Sequence, residues 1–503
     1  MFLALLVFLG MSIYSTRGVM KNNNLKVAFP QTALIHEYDP AKIYYAHQYI
    51  LLENLYCSLM NYSLTGELVS SIAERFEWIG SDAYFTLRKG LKTVDGHEIN
   101  ARDVEVSLKR LFILQSNTHG DLKKVLCGKS ELKEIGDICP NLLVKDDYTV
   151  VMKLKKRDPF LFSMLTSADF SIIPRRAIDF KTLKILDYQN TSGPYYVRKD
   201  NGGGNIELEA NLGHFYYSKD MPQKVKFIPS LIDGKSNSIR MFKEKKVDFV
   251  TTLDGSLASE VLDSPKTRND VNLFKSIPIK LIAITFTPAG ESRFSVAERF
   301  TIASLAKKAV LPFYLNRKGA ESTIQIFPSF GQGALTGGQI NTLQKKFSLT
   351  KADTFKKRFT AWNFPKESLA ELSRYFPNAE FKQVKGLPGR IDYKGNSLSE
   401  PELFLQWTDT SIKEDISFFS YYMTGYFFSI HGAAGAAWIK RYSETADLDR
   451  RMKMCNKLHY DTVSKAITVP LTLSPYVAFA RKPWKFRFLT LHAGTTFWRL
   501  RCN

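Results

Sequence analysis

The sequence contains little of the chemistry that marks catalytic or metal-binding proteins. Its eight histidines are scattered, and none forms a His-x-x-x-His or His-Glu-x-x-His pair, so the usual pattern of a zinc site is missing. A Gly-x-Ser-x-Gly nucleophile elbow is also missing. Gly234-Lys235-Ser236 ends like a P-loop, but Pro229 occupies the required upstream glycine position, and the glycines of residues 331–338 have the wrong spacing for a dinucleotide fingerprint. We therefore predict no catalytic residues, no metal site and no cofactor, which favours a binding protein over an enzyme.

Long apolar runs and strong compositional bias are missing as well. The longest apolar run, residues 2–14, is shorter than the roughly 20 residues that a membrane-spanning helix needs, which argues against a polytopic membrane protein. Hydrophobic residues make up 44% and charged residues 24%, ordinary values for a globular chain that exclude long disorder. With 503 residues the chain exceeds what one hydrophobic core serves, so two or three domains are expected.

The apolar run at the start resembles the hydrophobic region of a signal peptide. Small or polar residues follow it, and Thr16-Arg17-Gly18 would serve as a small-x-small cleavage site, although no Lys or Arg precedes the run. We interpret residues 1–21 as a signal-like segment and expect export. The alternative is a buried N-terminal helix or strand.

Cysteine is scarce, with five residues at positions 57, 127, 139, 455 and 502. None forms a Cys-x-x-Cys pair, which excludes a zinc ribbon and a thioredoxin-like motif. Cys127 and Cys139 bracket a short polar stretch, and in an exported protein this predicts a loop-closing disulfide. The alternative is a pair of free thiols, and the odd count leaves at least one cysteine unpaired.

Basic residues outnumber acidic ones, 70 to 49, for a net charge of +21. The basic runs, at residues 153–157, 243–246 and 356–358, are dispersed, and no aromatic–basic element of an RNA-binding type accompanies them, so we predict no nucleic-acid partner. We interpret the charge as a field over the whole surface. It would favour loose association with anionic membranes and steer acidic ligands.

Hydrophobic periodicity predicts a mixture of helices and strands. Ala101–Leu114 has apolar residues at helical spacing, and Asn100 followed by Asp103 resembles a capping box. Alternation predicts one strand over residues 145–155 and a terminal strand over residues 469–479, interrupted by Pro475. Residues 60–180 therefore indicate an α+β block.

Several segments, in order along the chain, resemble the family 5 extracellular solute-binding proteins, the oligopeptide- and dipeptide-binding components of ABC importers. The best match is residues 87–111, LRKGLKTVDGHEINARDVEVSLKRL, which resembles the family's hallmark strand, Asp-Gly turn and helix. Further matches are the segments at residues 38–41 (YDPA), 191–195 (TSGPY), 239–250 (IRMFKEKKVDFV) and 469–477. Together they span nearly the whole chain from residue 25 to 490.

The resemblance implies an α/β fold, a two-lobed periplasmic-binding-protein clamp of class II type with an extra α+β subdomain. Lobe I would comprise residues 22–58, 185–275 and 466–503, and the extra subdomain residues 59–184. Lobe II would comprise residues 276–465. The hinge would lie near residues 270–285 and 460–470.

The resemblance also implies ligand-binding residues. Trp407 matches the start of the family's Trp-x-x-Asp loop, whose aspartate pairs with the α-amino group of a peptide. Asp409 lies one position earlier than that aspartate, and the Asp-Pro that ends the loop is missing. Thr251 and Thr252 fall where the family presents small polar side chains to the cleft. The alternatives are a core strand tryptophan for Trp407 and an ordinary strand end for the two threonines.

The function implied is that of a receptor that captures a peptide or another small solute between two lobes and delivers it to an ABC permease in the membrane. Such a protein would work as a monomer in the periplasm or outside the cell. The alternative is a ligand-sensing clamp that signals to a partner protein without transport.

Overall fold

The computed structural model describes residues 23–29, 38–43, 48–63, 67–115, 120–129, 131–158, 160–232, 235–252, 269–275, 278, 280–315, 320–327, 333–348, 353–384, 400–409, 419, 423, 426–445, 447–475, 477–486 and 496–502. The predicted signal-like segment, residues 1–21, lies outside this described part. Among the helices of the described part, none is both long and apolar enough to cross a membrane.

The strands follow one another along the whole described chain. They are β1 (Asn24–Phe29), β2 (Met60–Tyr62), β3 (Leu68–Ser70), β4 (Ala73–Ile79), β5 (Asp82–Leu87), β6 (Leu142–Asp146), β7 (Thr149–Met152), β8 (Tyr195–Asp200), β9 (Ile206–Ala210), β10 (Lys224–Pro229), β11 (Leu231–Ile232), β12 (Lys235–Ser236), β13 (Phe249–Thr252), β14 (Val271–Lys275), β15 (Lys280–Phe286), β16 (Glu321–Ser322), β17 (Phe359–Trp362), β18 (Ala379–Lys382), β19 (Leu403–Asp409), β20 (Thr468–Ser474), β21 (Val477–Arg481), β22 (Trp484–Phe486) and β23 (Leu500–Cys502).

The helices are interspersed among these strands. They are α1 (Gln48–Leu55), α2 (Ala101–Leu114), α3 (Gly120–Cys127), α4 (Leu161–Met164), α5 (Ser238–Lys243), α6 (Pro288–Arg293), α7 (Val296–Leu315), α8 (Gly337–Ser348), α9 (Leu369–Tyr375), α10 (Gly432–Glu444) and α11 (Leu448–Ser464).

The first sheet has seven strands in the order β14-β21-β13-β1-β10-β9-β8. At its centre β1 runs parallel to both β10 and β13, as in an α/β domain, and the remaining neighbours are antiparallel. Successive side chains of β1 enter different cores, because strand residues alternate between faces. Val27 and Phe29 pack in a cluster with α1, whereas Ala28 packs in a second cluster with Phe242 of α5.

The second sheet has six strands in the order β16-β20-β15-β19-β17-β18. Its central strand β15 is buried on both faces. Ile282 and Ile284 pack in a cluster with residues of α7, whereas Leu281 and Ala283 pack in a different cluster with residues of α10 and α11. The near-continuous apolar run of β15 follows from this two-sided burial.

The third sheet has four strands in the order β4-β5-β7-β6, and α2 packs in the same core. The predicted capping box of α2 is confirmed. The Asn100 side chain accepts from the backbone N–H of Arg102 at 3.0 Å, and Asp103 accepts from the backbone N–H of Asn100 at 2.9 Å. Below, lobe I, lobe II and the subdomain denote the first, second and third sheets with the cores packed on them.

A buried ion pair ties the subdomain to lobe I. Arg110 of α2 forms a two-pronged pair with Asp39, with one N···O distance of 2.9 Å, and the two residues are 1% and 3% exposed. The Arg110 Nε atom also donates to the carbonyl of Leu183 at 2.8 Å. Since Asp39 precedes α1 and Leu183 precedes β8, one guanidinium holds three separate chain segments together.

The stretch predicted as one terminal strand is two strands in different sheets. β20 pairs with β15 in the second sheet, whereas β21 pairs with β13 and β14 in the first. The predicted start of the last lobe I segment at residue 466 therefore disagrees with the pairing of Thr468–Ser474. The reason is that Pro475 marks a passage between sheets, which local alternation cannot show. The remaining domain boundaries stay a prediction.

Candidate functional site

The chain passes between the first and second sheets at two places, and the candidate site lies where it does so. Residues 276–279 connect β14 to β15, and residues 475–476 connect β20 to β21. The step from Ser474 to Val477 spans at most about 11 Å. The strand ends on either side of these connections are therefore held close together. We call these two sets of strand ends the crossing edges.

The backbone register brings the predicted binding residues to these edges. Thr252, the last residue of β13, pairs with Val477, the first residue of β21. On the other sheet Asp409, the last residue of β19, pairs with Lys280, the first residue of β15, and Lys280 also pairs with Ser474. Thr252 and Asp409, on separate predicted lobes, therefore lie at the strand ends that flank the connection from Ser474 to Val477. The side chains of Thr251, Thr252 and Asp409 lie outside the described part.

Trp407 is a large aromatic residue left uncovered at the crossing edge. It pairs with Ile282, which is 1% exposed, yet Trp407 itself is 68% exposed. Its face of β19 also carries Leu403 and Leu405, both buried in the lobe II core. The alternative of a core tryptophan is therefore wrong, and the indole ring is available to a ligand.

Lys280 adds a cation to this aromatic surface, and sequence reasoning missed it. Its Nζ atom lies 5.3 Å from the centroid of the Trp407 ring, within the range of a cation–π contact. The signal in the sequence was weak, since it consisted of one lysine at the start of a buried strand. The pair presents a flat apolar ring beside a positive charge, which suits a ligand with both apolar and anionic parts.

A buried chain of hydrogen bonds fixes the strand that carries Trp407. Gln406 Nε2 donates to Thr285 Oγ1 at 2.6 Å, and Thr285 and Thr468 are joined through their hydroxyls at 2.9 Å. Thr468 Oγ1 donates to the carbonyl of Phe427 at 2.6 Å, so Thr285 supplies the proton between the two threonines. All three polar side chains are buried. These hydrogen bonds cross β19, β15 and β20 near the strand ends that lie away from the crossing edge, and they stiffen the sheet that carries Trp407.

A separate small cavity lies at the junction of lobe I and the subdomain. It has a volume of about 50 Å³ and is lined by Glu53, Tyr56, Cys57, Ser58, Met60, Asn61, Tyr62, Ser63, Thr166, Ala168, Ser171, Tyr216, Thr496 and Trp498. Solute sites usually enclose about 300–1,000 Å³. The cavity is therefore large enough for a few water molecules and too small for a peptide, and its lining contains no residue of lobe II.

The carboxyl group of Glu53 is the main titratable group of this cavity. Burial raises its pKa from 4.5 to about 7, against the opposing effect of the nearby Arg499 guanidinium. Burial also lowers the pKa of Arg499, whose Nη2 atom donates to the carbonyl of Tyr62 at 3.2 Å. The hydroxyl oxygens of Tyr56 and Thr496 are buried here and have no hydrogen-bond partner among the described residues. Since water would satisfy these groups, the cavity is a structural one.

The predicted cysteine pair lies at the end of α3. The Sγ atoms of Cys127 and Cys139 are 2.06 Å apart, and both residues are buried in the subdomain core. Cys57, Cys455 and Cys502 are buried and lie outside this disulfide. This pair is remote from the crossing edges in the fold, because it belongs to the third sheet's core, and its role is to close a surface loop.

Residues 67–293 match the model of a protein family described as bacterial extracellular solute-binding proteins, family 5 Middle. No curated protein sequence matches the chain.

Solved structures with a similar fold cover nearly the whole chain. The periplasmic murein tripeptide-binding protein MppA, in an unliganded open form, is 14% identical with a TM-score of 0.68, over 96% of this chain and 98% of that one. A dipeptide-binding protein from Pseudoalteromonas sp. SM9913, in complex with Met-Leu, is 13% identical with a TM-score of 0.69, over 95% and 100%. NikA from Brucella suis, in complex with Fe(III)-EDTA, is 14% identical with a TM-score of 0.72, over 95% and 100%. These likenesses confirm the predicted two-lobed α/β clamp and show the fold alone.

Proposed function

We propose that the chain is a family 5 extracellular solute-binding protein, which captures a peptide or peptide-like small solute between its two lobes and delivers it to an ABC importer; the match of residues 67–293 to that family supports this. The observation that carries the proposal is the exposed indole of Trp407 at a crossing edge. A ring that is 68% exposed on a rigid strand gains apolar contact only when another molecule covers it.

The geometry of the crossing edges supports capture by closure. Thr252 ends a strand of lobe I, and Asp409 ends a strand of lobe II, so a solute held between the two edges would touch both lobes. Rotation of the lobes about the two short connections would then bury the solute, which is how hinged clamps gain affinity. The binding needs no covalent step, and we propose that the protein performs none.

Three similar structures carry a tripeptide-binding name, a bound Met-Leu and a bound Fe(III)-EDTA, ligands that all present carboxylate groups. Lys280 beside Trp407 suits such a ligand, because its ammonium group would attract a carboxylate while the indole covers apolar atoms. We propose Asp409 as the partner of a ligand ammonium group, and Thr251 and Thr252 as hydrogen-bonding residues opposite it. The net charge of +21 would favour the approach of anionic solutes.

The protein would work outside the cytoplasm, and it would do so as a single chain. The family is extracellular or periplasmic, and we propose export through the signal-like segment at residues 1–21. The protein would then work as a monomer that meets its permease at the membrane surface. Light scattering of the purified chain would test the monomer. No feature of the described residues favours the signalling alternative.

The test is a binding measurement on protein purified without denaturation. Native mass spectrometry should show a co-purified solute, and titration with Met-Leu and a small peptide library should give saturable binding by calorimetry. Trp407→Ala should weaken that binding at least tenfold, the equivalent of about 1.4 kcal/mol, because a stacked ring at a desolvated site contributes at least this much.

Leu212→Ala is the matched control, because Leu212 is also 68% exposed but lies outside the crossing edges. Its affinity should equal that of the unmodified protein. Equal affinity in Trp407→Ala and Leu212→Ala would remove Trp407 from the site. Failure of every library member to bind, with no co-purified solute, would reject the proposed function.

A further inference from the structure

One aromatic side chain of the subdomain is buried in the core of lobe II. Phe160, in the turn directly before α4, is 4% exposed, and it belongs to a hydrophobic cluster whose other buried members all lie between residues 281 and 473. The next residue, Leu161, packs in the subdomain's own core. The chain therefore changes its packing partner between two consecutive residues.

The receiving surface of lobe II is a set of aromatic rings on α10 and beside it. Trp438 and Tyr442 stack with centroids 4.9 Å apart and an interplanar angle of 11°, and Phe419 lies 5.0 Å and 5.1 Å from them. The Phe160 ring lies 5.4 Å from Tyr442, tilted by 30°. These distances are those of favourable aromatic pairs, so Phe160 extends an existing stack.

Arg451 of α11 covers Phe160 from another side. Its guanidinium carbon lies 5.2 Å from the Phe160 centroid, and its Nη1 atom donates to the carbonyl of Thr445 at 2.6 Å. Arg451 is 3% exposed, so it is held in place by the fold of lobe II. A cation over an aromatic face in a water-poor setting adds to the apolar contact.

The turn that contains Phe160 is held by a local hydrogen bond and carries a charged residue that interacts with lobe II. The backbone N–H of Phe160 donates to Asp158 Oδ1 at 2.9 Å, and this local turn constrains the backbone from which the ring projects. The Asp158 carboxylate interacts with the charges of Lys156 and Arg451. The turn therefore interacts with lobe II in two ways. The Phe160 ring packs against Tyr442, and the Asp158 carboxylate interacts with the charge of Arg451.

The contact between Phe160 and lobe II bears on lobe rotation because the subdomain is fixed to lobe I. The buried pair of Arg110 and Asp39 fixes the subdomain to lobe I, so the two move together. Lobe II is joined to lobe I by the two short chain connections of the crossing edges. Any rotation of lobe II about these connections shifts it relative to Phe160, which must then leave its pocket or slide within it.

We propose that Phe160, docked against Tyr442 and Arg451, is a clasp that holds the subdomain on lobe II and so sets how freely the clamp rotates when no solute is bound. The proposal concerns the free protein, and it can fail while the proposed solute binding stands, or the reverse. Undocking the ring exposes a large apolar side chain, so its removal should shift the ratio of docked to undocked molecules roughly tenfold or more.

The test measures distances between the two parts in the full, solute-free chain. Spin labels go on cysteines introduced by Ile79→Cys in the subdomain and Leu448→Cys in lobe II, at positions that are 53% and 46% exposed. The native cysteines outside the disulfide, Cys57, Cys455 and Cys502, are buried, so the label is directed to the introduced cysteines. Double electron–electron resonance should give one narrow distance distribution for the otherwise unmodified chain, and Phe160→Ala should broaden it or add a second population.

Phe162→Ala is the matched control. Phe162 is two residues away, but its ring packs inside the subdomain against Phe76, Trp78 and Phe85. That variant should destabilise the subdomain while leaving the distance distribution narrow. Phe160→Leu, which keeps an apolar side chain, should give an intermediate distribution and serves if the alanine variant does not fold. A distribution in Phe160→Ala and Phe160→Leu that is identical to that of the unmodified chain would overturn the clasp.

Discussion

Replacing Glu53 by Gln should make the stability of the protein less sensitive to pH. Glu53 lies in α1 and lines the cavity between lobe I and the subdomain, where burial raises the pKa of its carboxyl group from 4.5 to about 7. Glutamine has nearly the shape of a protonated glutamic acid and carries no charge at any pH. The substitution therefore removes the ionisation and keeps the packing.

The direction of the pH effect on stability depends on whether the folded or the unfolded state binds the Glu53 proton more tightly. The folded-state pKa is raised, so between pH 4.5 and about 7 the folded protein holds a proton that the unfolded chain has released. The stabilising effect of the protonated Glu53 carboxyl group is therefore fully present below pH 4.5. It decreases as the pH rises through this window and is lost above about pH 7. A rise in pKa from 4.5 to about 7 corresponds to about 3 kcal/mol.

The assay compares the thermal midpoints of Glu53→Gln and the unmodified chain from pH 4 to pH 9. The two midpoints should coincide at the acid end, and the variant should melt about 5 °C higher above pH 7, for a cooperative unit of about 300 residues. Glu74→Gln is the control, since Glu74 is exposed on β4, and it should follow the unmodified chain at every pH.

The difference in midpoint between Glu53→Gln and the unmodified chain should depend on pH. A constant offset between Glu53→Gln and the unmodified chain across the whole range would mean that the carboxyl group titrates alike in the folded and unfolded states. A variant that is less stable at high pH would mean that the charged pair with Arg499 stabilises the fold more than burial of the carboxylate costs.

Two further predictions concern the subdomain. Arg110→Met leaves Asp39 buried without its partner and should destabilise the chain by about 3–5 kcal/mol, whereas the double variant Arg110→Met with Asp39→Asn should recover part of the loss. Arg102→Met on the same helix, where the side chain is 61% exposed, is the control in the melting assay, and equal losses for the two arginines would contradict the anchoring role. Replacing Cys127 and Cys139 by Ser should lower stability by about 2–3 kcal/mol, because the disulfide closes a loop with a sequence separation of 12. Dithiothreitol should lower the midpoint of the unmodified chain to that of the variant and leave the variant unchanged, and a midpoint of the unmodified chain that ignores the reductant would argue against the disulfide.

Local sequence signals predicted α2 well because every determinant of that helix is local. Its apolar spacing, its N-cap Asn100 and the reciprocal Asp103 all lie within the segment, and the helix has the predicted bounds. The strand predicted over residues 145–155 was less well placed. It is the hairpin of β6 and β7, because Asp146 accepts from the backbone N–H of Tyr148 at 2.8 Å and turns the chain there. Asp146-Asp147 was the turn signal, and alternation on both sides of it concealed the turn.

The assignment of strands to sheets could not be predicted from local patterns. β20 and β21 are both rich in apolar residues and are separated by only two residues, yet they pair with strands some 190 and 230 residues earlier in different sheets. Partner choice depends on contacts between residues distant in sequence, which periodicity does not encode. The same limit explains Lys280, whose proximity to Trp407 arises only when β15 pairs with β19.

Solute binding at the candidate site and docking of Phe160 would both depend on the rotation of the two lobes. The two connections between the sheets are short in sequence and are flanked by paired strands, and in the proposed clamp the lobes would rotate about them. A solute at Trp407 would favour whichever rotation buries the indole, and Phe160 favours the rotation in which its ring stays docked. Affinity then depends on the free energy of this rotation as well as on contacts with the solute, because a ligand stabilises a conformation only by its differential affinity for it. A substitution at Phe160 should therefore alter solute affinity without touching the solute, whereas a substitution at Trp407 should leave the distances in the free protein unchanged.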